Sequence, residues 1–266
     1  MKKYLAVARI TFANILQYRW EYLIAQARAI LLLVTLYFLW SQVFQTRIHL
    51  FNFNREQIIT YIFLAIILRQ FVLNSAASDQ IAGELQSWGK FFSYLLRPIG
   101  YFRYWFTVDL VYKFVGLISI ALIIFILVNT FNITLIKPAG VVYILLSVIS
   151  VIVAILIYFY IGILVSTAGF WTSQVWGLQF FVVLILEFSA GAYFPIDVLP
   201  SNLQFIVKLT PFPYLLYYPI SIVLGKLSYL ESIQAILIAT LWLFVIFFIT
   251  KFVWNKGLRV YEAWGG

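Results

Sequence analysis

Long apolar stretches alternate with short polar segments along the whole chain, and this pattern predicts membrane-spanning helices. A helix needs about 20 consecutive apolar residues to cross the hydrocarbon core of a bilayer. Six stretches come close to that length, at residues 23–44, 57–76, 105–129, 141–165, 175–192 and 230–252. We therefore expect an all-α integral membrane protein with six transmembrane helices in a single domain, residues 1–266. An even number of spans would place both termini on the same side of the membrane.

Before the first apolar stretch, residues 1–22 carry an amphipathic pattern. Leu5, Ala8, Phe12 and Ile15 recur at helical spacing, whereas the lysines and arginines of this segment lie off that stripe or at its edge. The pattern favours a helix that lies on the membrane surface, with its cations attracted by anionic lipid. The alternative is a simple N-terminal extension of the first span.

The largest polar loop, residues 78–104, holds a second amphipathic pattern. Ile81, Leu85 and Trp88 begin an apolar series at spacings of three and four residues, and Asp79 stands where it would cap the start of a helix. We expect one short helix here, or two short helices, lying on or below the membrane.

A proline-rich segment, residues 193–225, separates the last two apolar stretches. Five of the seven prolines of the chain fall between residues 191 and 219. Proline removes a backbone donor and interrupts a helix, and backbone groups freed in this way cannot be left bare in hydrocarbon. The segment is therefore expected at an interface, against other protein or beside water.

The composition supports the membrane assignment and excludes several kinds of site. The chain is 64% hydrophobic and only 10% charged, far from the values of an ordinary soluble domain. It has no cysteine and one histidine, so we expect no disulfide, no catalytic thiol and no metal site. No catalytic set and no cofactor site is expected either, because the segment from Gly83 to Lys90 does not match a phosphate-binding loop.

The formal charge of +9 is explained by the flanks of the spans rather than by nucleic acid, which we do not expect as a partner. If the termini are cytoplasmic, thirteen of the basic residues fall at inner positions and five at outer ones, as the positive-inside rule requires. The predicted topology has both termini in the cytoplasm, with the proline-rich segment outside.

Four ionisable residues fall within predicted spans, where their burial is costly and often functional. Asp109 and Lys113 are four residues apart on the third span, so mutual neutralisation is favoured over a role in coupling. Arg69 would either extend toward the inner surface or pair with Asp109 across helices. Glu187 lies near the outer end of the fifth span, where external water or, alternatively, a cationic substrate would neutralise it.

In their order along the chain, these features resemble the permease subunit of ABC-2 type transporters. The resemblance rests on the amphipathic start, the loop ending in Leu95-Leu96-Arg97-Pro98, and the outer sequences Phe194-Pro-Ile-Asp-Val-Leu-Pro200 and Thr210-Pro-Phe-Pro213. The tail from residue 254 to residue 266 is similar to one branch of bacterial permeases that are often encoded beside a second permease and an ATPase.

The resemblance implies a multi-pass subunit of the bacterial cytoplasmic membrane that binds ABC ATPase subunits, a second permease (similar or identical) and membrane lipid. ATP and Mg would bind to the ATPase, not to this chain. The resemblance implies two functional segments. The ATPase-coupling helix would use Asp79, Ile81, Gly83, Glu84, Leu85 and Trp88, with Glu84 making the polar contact. Outer re-entrant helices, residues 193–225, would close the pathway, with gate residues Phe194, Pro195, Pro200, Pro211 and Pro213.

The function expected from the sequence is thus ATP-driven export of a hydrophobic, amphipathic or cationic substrate. An alternative is an ion-gradient-driven secondary transporter or channel, although no inverted repeat or chain of buried acids is evident. An intramembrane enzyme is a further alternative, for which a convergent set of catalytic groups is missing from the sequence.

Overall fold

The computed structural model describes residues 2–45, 49–50, 53–87, 91, 94, 96 and 98–263. The described residues are almost entirely helical, with one pair of two-residue antiparallel strands, β1 and β2. The strands are His49–Leu50 and Phe53–Asn54. The α-helices that the structure describes, labelled α1 to α10 here, are Lys2–Gln17, Arg19–Val43, Arg55–Val72, Ala76–Gln86, Tyr101–Thr130, Val141–Ser166, Trp176–Ala190, Ser201–Lys208, Tyr217–Val223 and Tyr229–Ala263. Three single-turn 3₁₀ helices are Thr167–Phe170, Ile196–Val198 and Phe212–Tyr214.

Among the described helices, five apolar segments are long enough to cross a membrane, and they include α2, α3, α5, α6 and α10. The sixth predicted span is α7, an apolar helix of 15 residues. At 1.5 Å per residue it covers about 22 Å, less than the roughly 30 Å of a hydrocarbon core. It ends early because Gly191 adopts a left-handed conformation directly after it (φ 82°).

Helix α1 is separate from α2, because the chain breaks at Tyr18 (φ −98°, ψ 35°). Val7, Thr11 and Ile15 are buried in the protein, and α1 packs mainly on α5. Leu5 and Phe12, from the apolar stripe expected in the sequence, are instead 57% and 48% exposed. The helix therefore has one face on the protein and a second apolar face directed outward, which suits a position at the membrane surface.

The predicted loop helix is α4, but it begins earlier than expected. Its N-cap is Ser75, so Asp79 lies inside the first turn and does not cap the helix. The helix ends at Gln86, and Trp88, Leu95 and Arg97 lie outside the described residues. Helix α4 packs against α6 and against the start of α5.

In the proline-rich segment each of three prolines stands at the residue before a short helix. Pro195 and Pro211 precede 3₁₀ helices, and Pro200 precedes α8. The missing N–H of proline costs nothing at a helix start, and its φ near −65° is already helical. The prolines thus break one long apolar stretch into a chain of short helices.

Two hydrophobic clusters occupy opposite ends of the bundle. One contains Val7 of α1, Ile81 of α4 and Trp254 of α10, so both ends of the chain meet there; we call it the terminal end. The other runs along α2, α3 and α6 and includes Ala190, Ile196 and Tyr214; we call the end of the bundle at these three residues the proline end. Helix α7 leads from the 3₁₀ helix that ends at Phe170, in the terminal end, to Ala190, in the cluster of the proline end.

Candidate functional site

The four ionisable residues predicted within spans form two ion pairs inside the bundle. Lys113 Nζ and Asp109 Oδ2 are 3.4 Å apart on α5, and both side chains are fully buried. The expected neutralisation within one helix is therefore confirmed. Arg69 of α3 pairs with Glu187 of α7, so the expectation that Arg69 would extend inward or bind Asp109 is wrong.

Lys113 also joins α5 to the corner between α3 and α4. Its ammonium group donates to the backbone carbonyl of Val72 at 2.8 Å and to that of Asn74. Val72 is the last residue of α3, whose final carbonyls have no partner within the helix. A cation is favoured at this negative end of a helix. Lys113 thus fixes the turn that leads into α4.

The Arg69–Glu187 pair joins α3 to α7. Arg69 donates from Nε at 3.0 Å and from Nη2 at 2.6 Å to the same oxygen, Glu187 Oε1. The Tyr193 hydroxyl, just after α7, donates to the other carboxylate oxygen. Burial, and to a smaller extent the hydrogen bond to the Glu187 carboxylate, raises the pKa of Tyr193 to about 12. Glu187 is 8% exposed, so the expectation that external water neutralises it is wrong. Arg69 neutralises it instead, in the place that the sequence offered to a cationic substrate.

A small polar cavity lies between α4, α6 and α7, next to the turn at Asn74 that Lys113 contacts. Its volume is about 220 Å³, below the roughly 300 Å³ at which pockets hold drug-sized ligands. The polar residues that line it are Asn74, Ser75, Ser78, Asp79, Tyr158 and Gln179. Tyr158 also lies within electrostatic range of both acids of the ion pairs. The cavity can therefore hold water or a small polar group but not a large ligand.

Close packing of small residues holds α4 against α6 beside this cavity. The Ser166 hydroxyl donates to the Ser78 carbonyl at 2.7 Å, and a Cβ on Gly162 would lie 3.3 Å from the Ser78 Cβ. Gln179 of α7 donates to the same Ser78 carbonyl at 3.2 Å. Movement of α4 would therefore act directly on α6 and α7.

The predicted ATPase-coupling residues divide between the two faces of α4. Ile81, Leu85 and Glu84 are buried within the chain itself, with Tyr101 donating to Glu84 Oε2 at 2.7 Å. This corrects the placement of Glu84 as the exposed polar contact. Asp79 and Gly83 are exposed, together with Gln80 and Gln86 on the same face. Trp88 lies outside the described residues.

The predicted gate residues lie in a segment that is anchored at several points. Pro195 and Pro213 are buried, Phe194 and Pro211 are half-buried, and Pro200 is exposed. Helix α9 packs against α6 and α3, with Ile220 and Ile222 fully buried.

Two tyrosine hydroxyls fasten the proline end. Tyr61 of α3 donates to the Gly191 carbonyl at 2.8 Å, and Tyr217 donates to Asp197 at 3.0 Å. A Cβ at Gly191 would stand only 2.5 Å from the Tyr61 hydroxyl oxygen, so both φ and space require glycine there.

Lys226 follows α9, and its ammonium group lies over the Phe53 ring. Burial lowers the pKa of Lys226 to about 8, against the opposing effect of Asp197. The sequence predicted none of the hydrogen bonds that Tyr61, Tyr193 and Tyr217 make, including the contact of Tyr217 with Asp197. Only Asp197, a lone acid in an apolar proline-rich segment, gave a usable signal.

Among the described residues, no group of three or more histidine or acidic side chains could hold a metal ion. Comparison with known protein families matches residues 30–265 to the family described as ABC-2 family transporter protein. A search of curated proteins finds no match.

Proposed function

The chain belongs to the ABC-2 family of transporter proteins, and we propose that it is a permease subunit, driven by a separate ATPase, that exports a hydrophobic, amphipathic or cationic substrate. The observation that carries this proposal is the structure of α4. One face of this helix is exposed and polar, and the opposite face is fixed to three helices of the bundle.

The exposed face of α4, formed by Asp79, Gln80, Gly83 and Gln86, is the proposed docking surface for the ATPase. Nothing lies within 4 Å of the position that a Gly83 Cβ would take, so a partner can approach the helix closely there. The neighbouring terminal end carries α1, which would add a second contact. In this arrangement both termini face the cytoplasm, and the protein spans the bacterial inner membrane.

Force applied to α4 would reach the bundle through the contacts described above. Lys113 connects α5 to the turn before α4, and Ser78 connects α4 to α6 and α7. The ion pair between Arg69 and Glu187 connects α3 to α7. Rigid-body motion of α4 would therefore shift α3, α5, α6 and α7 together. The ATP and its Mg ion would remain in the ATPase.

A second permease, a similar chain or a second copy, would lie against α7. This helix is too short to span the hydrocarbon alone and exposes Phe180 and Phe181 at 59% each. Beside it the Arg69 side chain is 29% exposed. A charged group at membrane depth needs protein or water against it rather than lipid. The substrate path is proposed along this face, between the two permeases.

Residues 193–225 would close this path on the outer side. The tyrosine anchors and the packing of α9 on α3 and α6 connect the segment to the same helices that α4 would move. We propose that it opens by releasing the Tyr61 and Tyr217 contacts while α9 stays packed.

The test uses two substitutions at Gly83. Gly83→Trp should abolish co-purification of the ATPase, because the side chain projects from the proposed docking surface into open space. Gly83→Ala is the matched control and should retain it, since alanine favours the helix by about 0.5–1 kcal/mol. Glu84→Arg is unsuitable, because it would place a cation in the buried contact with Tyr101. If Gly83→Trp retains full ATPase binding and substrate-stimulated hydrolysis, the docking surface is wrong.

Transport driven by an ion gradient, in vesicles that contain this chain without any ATPase, would instead support the alternative of a secondary transporter. In the described spans, Asp109 and Glu187 are each paired with a cation, so neither has the properties of a free relay acid.

A further inference from the structure

Helices α5 and α6 are consecutive in the chain but enclose a long cleft between them. They meet at Phe106 and Phe159, whose ring centroids are 5.0 Å apart. Toward the proline end they diverge, and a cavity of about 570 Å³ opens between them, with α3 as its floor and α9 at its far end. We call this cavity the apolar compartment.

The apolar compartment has no free polar group among its lining residues. Ser147 is the only polar residue that lines it, and its hydroxyl donates to the Pro219 carbonyl at 2.9 Å. The walls include Leu68 of α3 and Ile152 of α6, and Ile152 is 54% exposed. An occupant of this compartment must therefore be hydrocarbon, and it can enter sideways from the membrane.

A second cavity, of about 370 Å³, continues the cleft toward the terminal end. The two cavities share Phe106 and Leu156 as lining residues, so they are parts of one cleft. The second cavity is lined by Arg103, Thr107 and Tyr4 as well as by aromatic rings. We call it the basic compartment.

Arg103 supplies a positive charge to the basic compartment. In the part of the chain that the structure describes, Arg103 has no acidic partner. The Arg103 Cδ and the Tyr4 hydroxyl oxygen lie 3.8 and 3.9 Å from the position of a Gly100 Cβ, so the stem of the arginine side chain and the phenol are neighbours. The Thr107 hydroxyl donates to the Arg103 backbone carbonyl and leaves the guanidinium group accessible. A guanidinium group and a phenol together suit the oxygens of a phosphate.

The cleft also has the depth of a lipid leaflet. From Arg103 to Leu117, along α5, the helix rises about 21 Å at 1.5 Å per residue. One leaflet with its headgroup region is about 20–22 Å thick, half of the whole bilayer. A headgroup at Arg103 would therefore place its acyl chain along the whole apolar compartment, ending near α9.

We propose that the α5–α6 cleft binds an anionic phospholipid of the surrounding membrane, with the phosphate at Arg103 and Tyr4 and an acyl chain in the apolar compartment. The charge at one end, the uncharged walls and the continuity of the two cavities favour this occupant over a second copy of the chain. The inference does not rest on the proposed transport function. The chain would carry this lipid in the leaflet that borders the terminal end, and the bound chain would contact α9 of the proline-rich segment.

The test measures lipid binding to the purified full chain, with any subunits that co-purify, by native mass spectrometry. Phosphatidylglycerol and phosphatidylcholine with identical acyl chains are the two probes. The wild-type chain should bind phosphatidylglycerol more tightly. Arg103→Gln should weaken that binding about fivefold, as expected for the loss of one cation at the membrane surface, and should leave phosphatidylcholine unchanged. Arg19→Gln, an exposed cation outside the cleft, should have no effect.

Filling the apolar compartment tests the acyl-chain site separately. Ile152→Trp should weaken binding of both lipids about tenfold, because the indole occupies the space of the chain. Leu241→Trp, at an equally exposed position on α10, should weaken neither. Since both sites are more than half exposed, these variants should keep the thermal stability of the wild type.

Three results would overturn the proposal. Arg19→Gln could weaken phosphatidylglycerol binding as much as Arg103→Gln does, which would indicate general surface charge. Ile152→Trp could leave the bound lipid unchanged, which would place the lipid elsewhere. Because the chain has no cysteine, an Ile152→Cys variant that forms a disulfide-linked dimer in membranes would assign the cleft to a second copy of the chain.

Discussion

Replacing Lys113 with methionine should destabilise the protein strongly, although the two side chains have similar length. Lys113 is fully buried, and its ammonium group contacts Asp109 and the carbonyls of Val72 and Asn74. Methionine keeps the packing but removes the charge and the donors. Asp109 is then a buried acid that nothing compensates, because no other group in the described structure makes a hydrogen bond to its oxygens.

The size of the effect follows from these contacts. Breaking one partner of a buried ion pair costs about 3–5 kcal/mol. A buried carbonyl that loses its donor costs about 1–3 kcal/mol more. Protonation of Asp109 would relieve part of the first cost. We therefore expect a loss on the order of 5 kcal/mol, and a fall in Tm of roughly 10 °C or more in a chain of this size.

The assay is thermal unfolding in detergent, followed by the amount of monodisperse protein that survives heating. The double variant Asp109→Leu with Lys113→Met should be more stable than Lys113→Met alone, because it removes the uncompensated acid. It should remain less stable than the wild type, because the two carbonyls still lack a donor. Lys251→Met, at an exposed position of α10, is the control and should be nearly neutral.

A second measurement separates the local role of Lys113 from general destabilisation. Hydrogen exchange in Lys113→Met should increase more in α4 than in α9, because the corner before α4 loses its tie to α5. A Tm of Lys113→Met within about 2 °C of the wild type, or a double variant no more stable than the single one, would contradict this role of Lys113.

Three further predictions concern the proline end and the ion pair near it. Arg69→Gln should lower stability by on the order of 2 kcal/mol, because Glu187 is left without its cation. Exchanging the two residues should restore part of the loss in the same thermal assay. No recovery would mean that the packing of the two side chains, and not their opposite charge, stabilises the protein. The pKa of Lys226 is lowered to about 8, so the native chain loses this proton at lower pH than the unfolded chain. The stability measured by thermal unfolding should therefore rise from pH 8 to about pH 10.5, and Lys226→Gln should lack that rise. An identical pH profile in the variant would show that Lys226 is not the group responsible. Gly191→Ala should destabilise by about 1–2 kcal/mol, because alanine is strained at φ 82° and meets the Tyr61 hydroxyl, whereas a wild-type Tm would show that the turn can rearrange.

Most features that depend on neighbours in the chain were predicted correctly, although Asp79 does not cap α4 and α7 is shorter than a full span. The spans follow from runs of apolar residues, and the breaks before the short helices follow from proline, which acts on its own backbone and on the preceding turn. The Asp109–Lys113 pair is local in the same sense, since residues four apart share a helix face. These properties need no knowledge of how helices pack.

Features that depend on packing were missed or misplaced. Arg69 and Glu187 are 118 residues apart in the chain, and no local pattern connects them. The spacing of residues in α4 indicated two faces, but it could not tell which face meets the bundle. The family resemblance implied that Glu84 makes the polar contact to the ATPase, whereas the structure buries it. Its burial is decided by Tyr101, which lies on another helix.

Composition and backbone chemistry act locally, so the membrane class, the five long apolar helices and the breaks at the prolines followed from the sequence, whereas the short length of the sixth predicted span did not. The tertiary structure alone decided which charges neutralise each other, which face of α4 is exposed, and that α5 and α6 diverge to form a cleft. Each of these depends on the relative position of helices, which is set by the packing of many side chains at once.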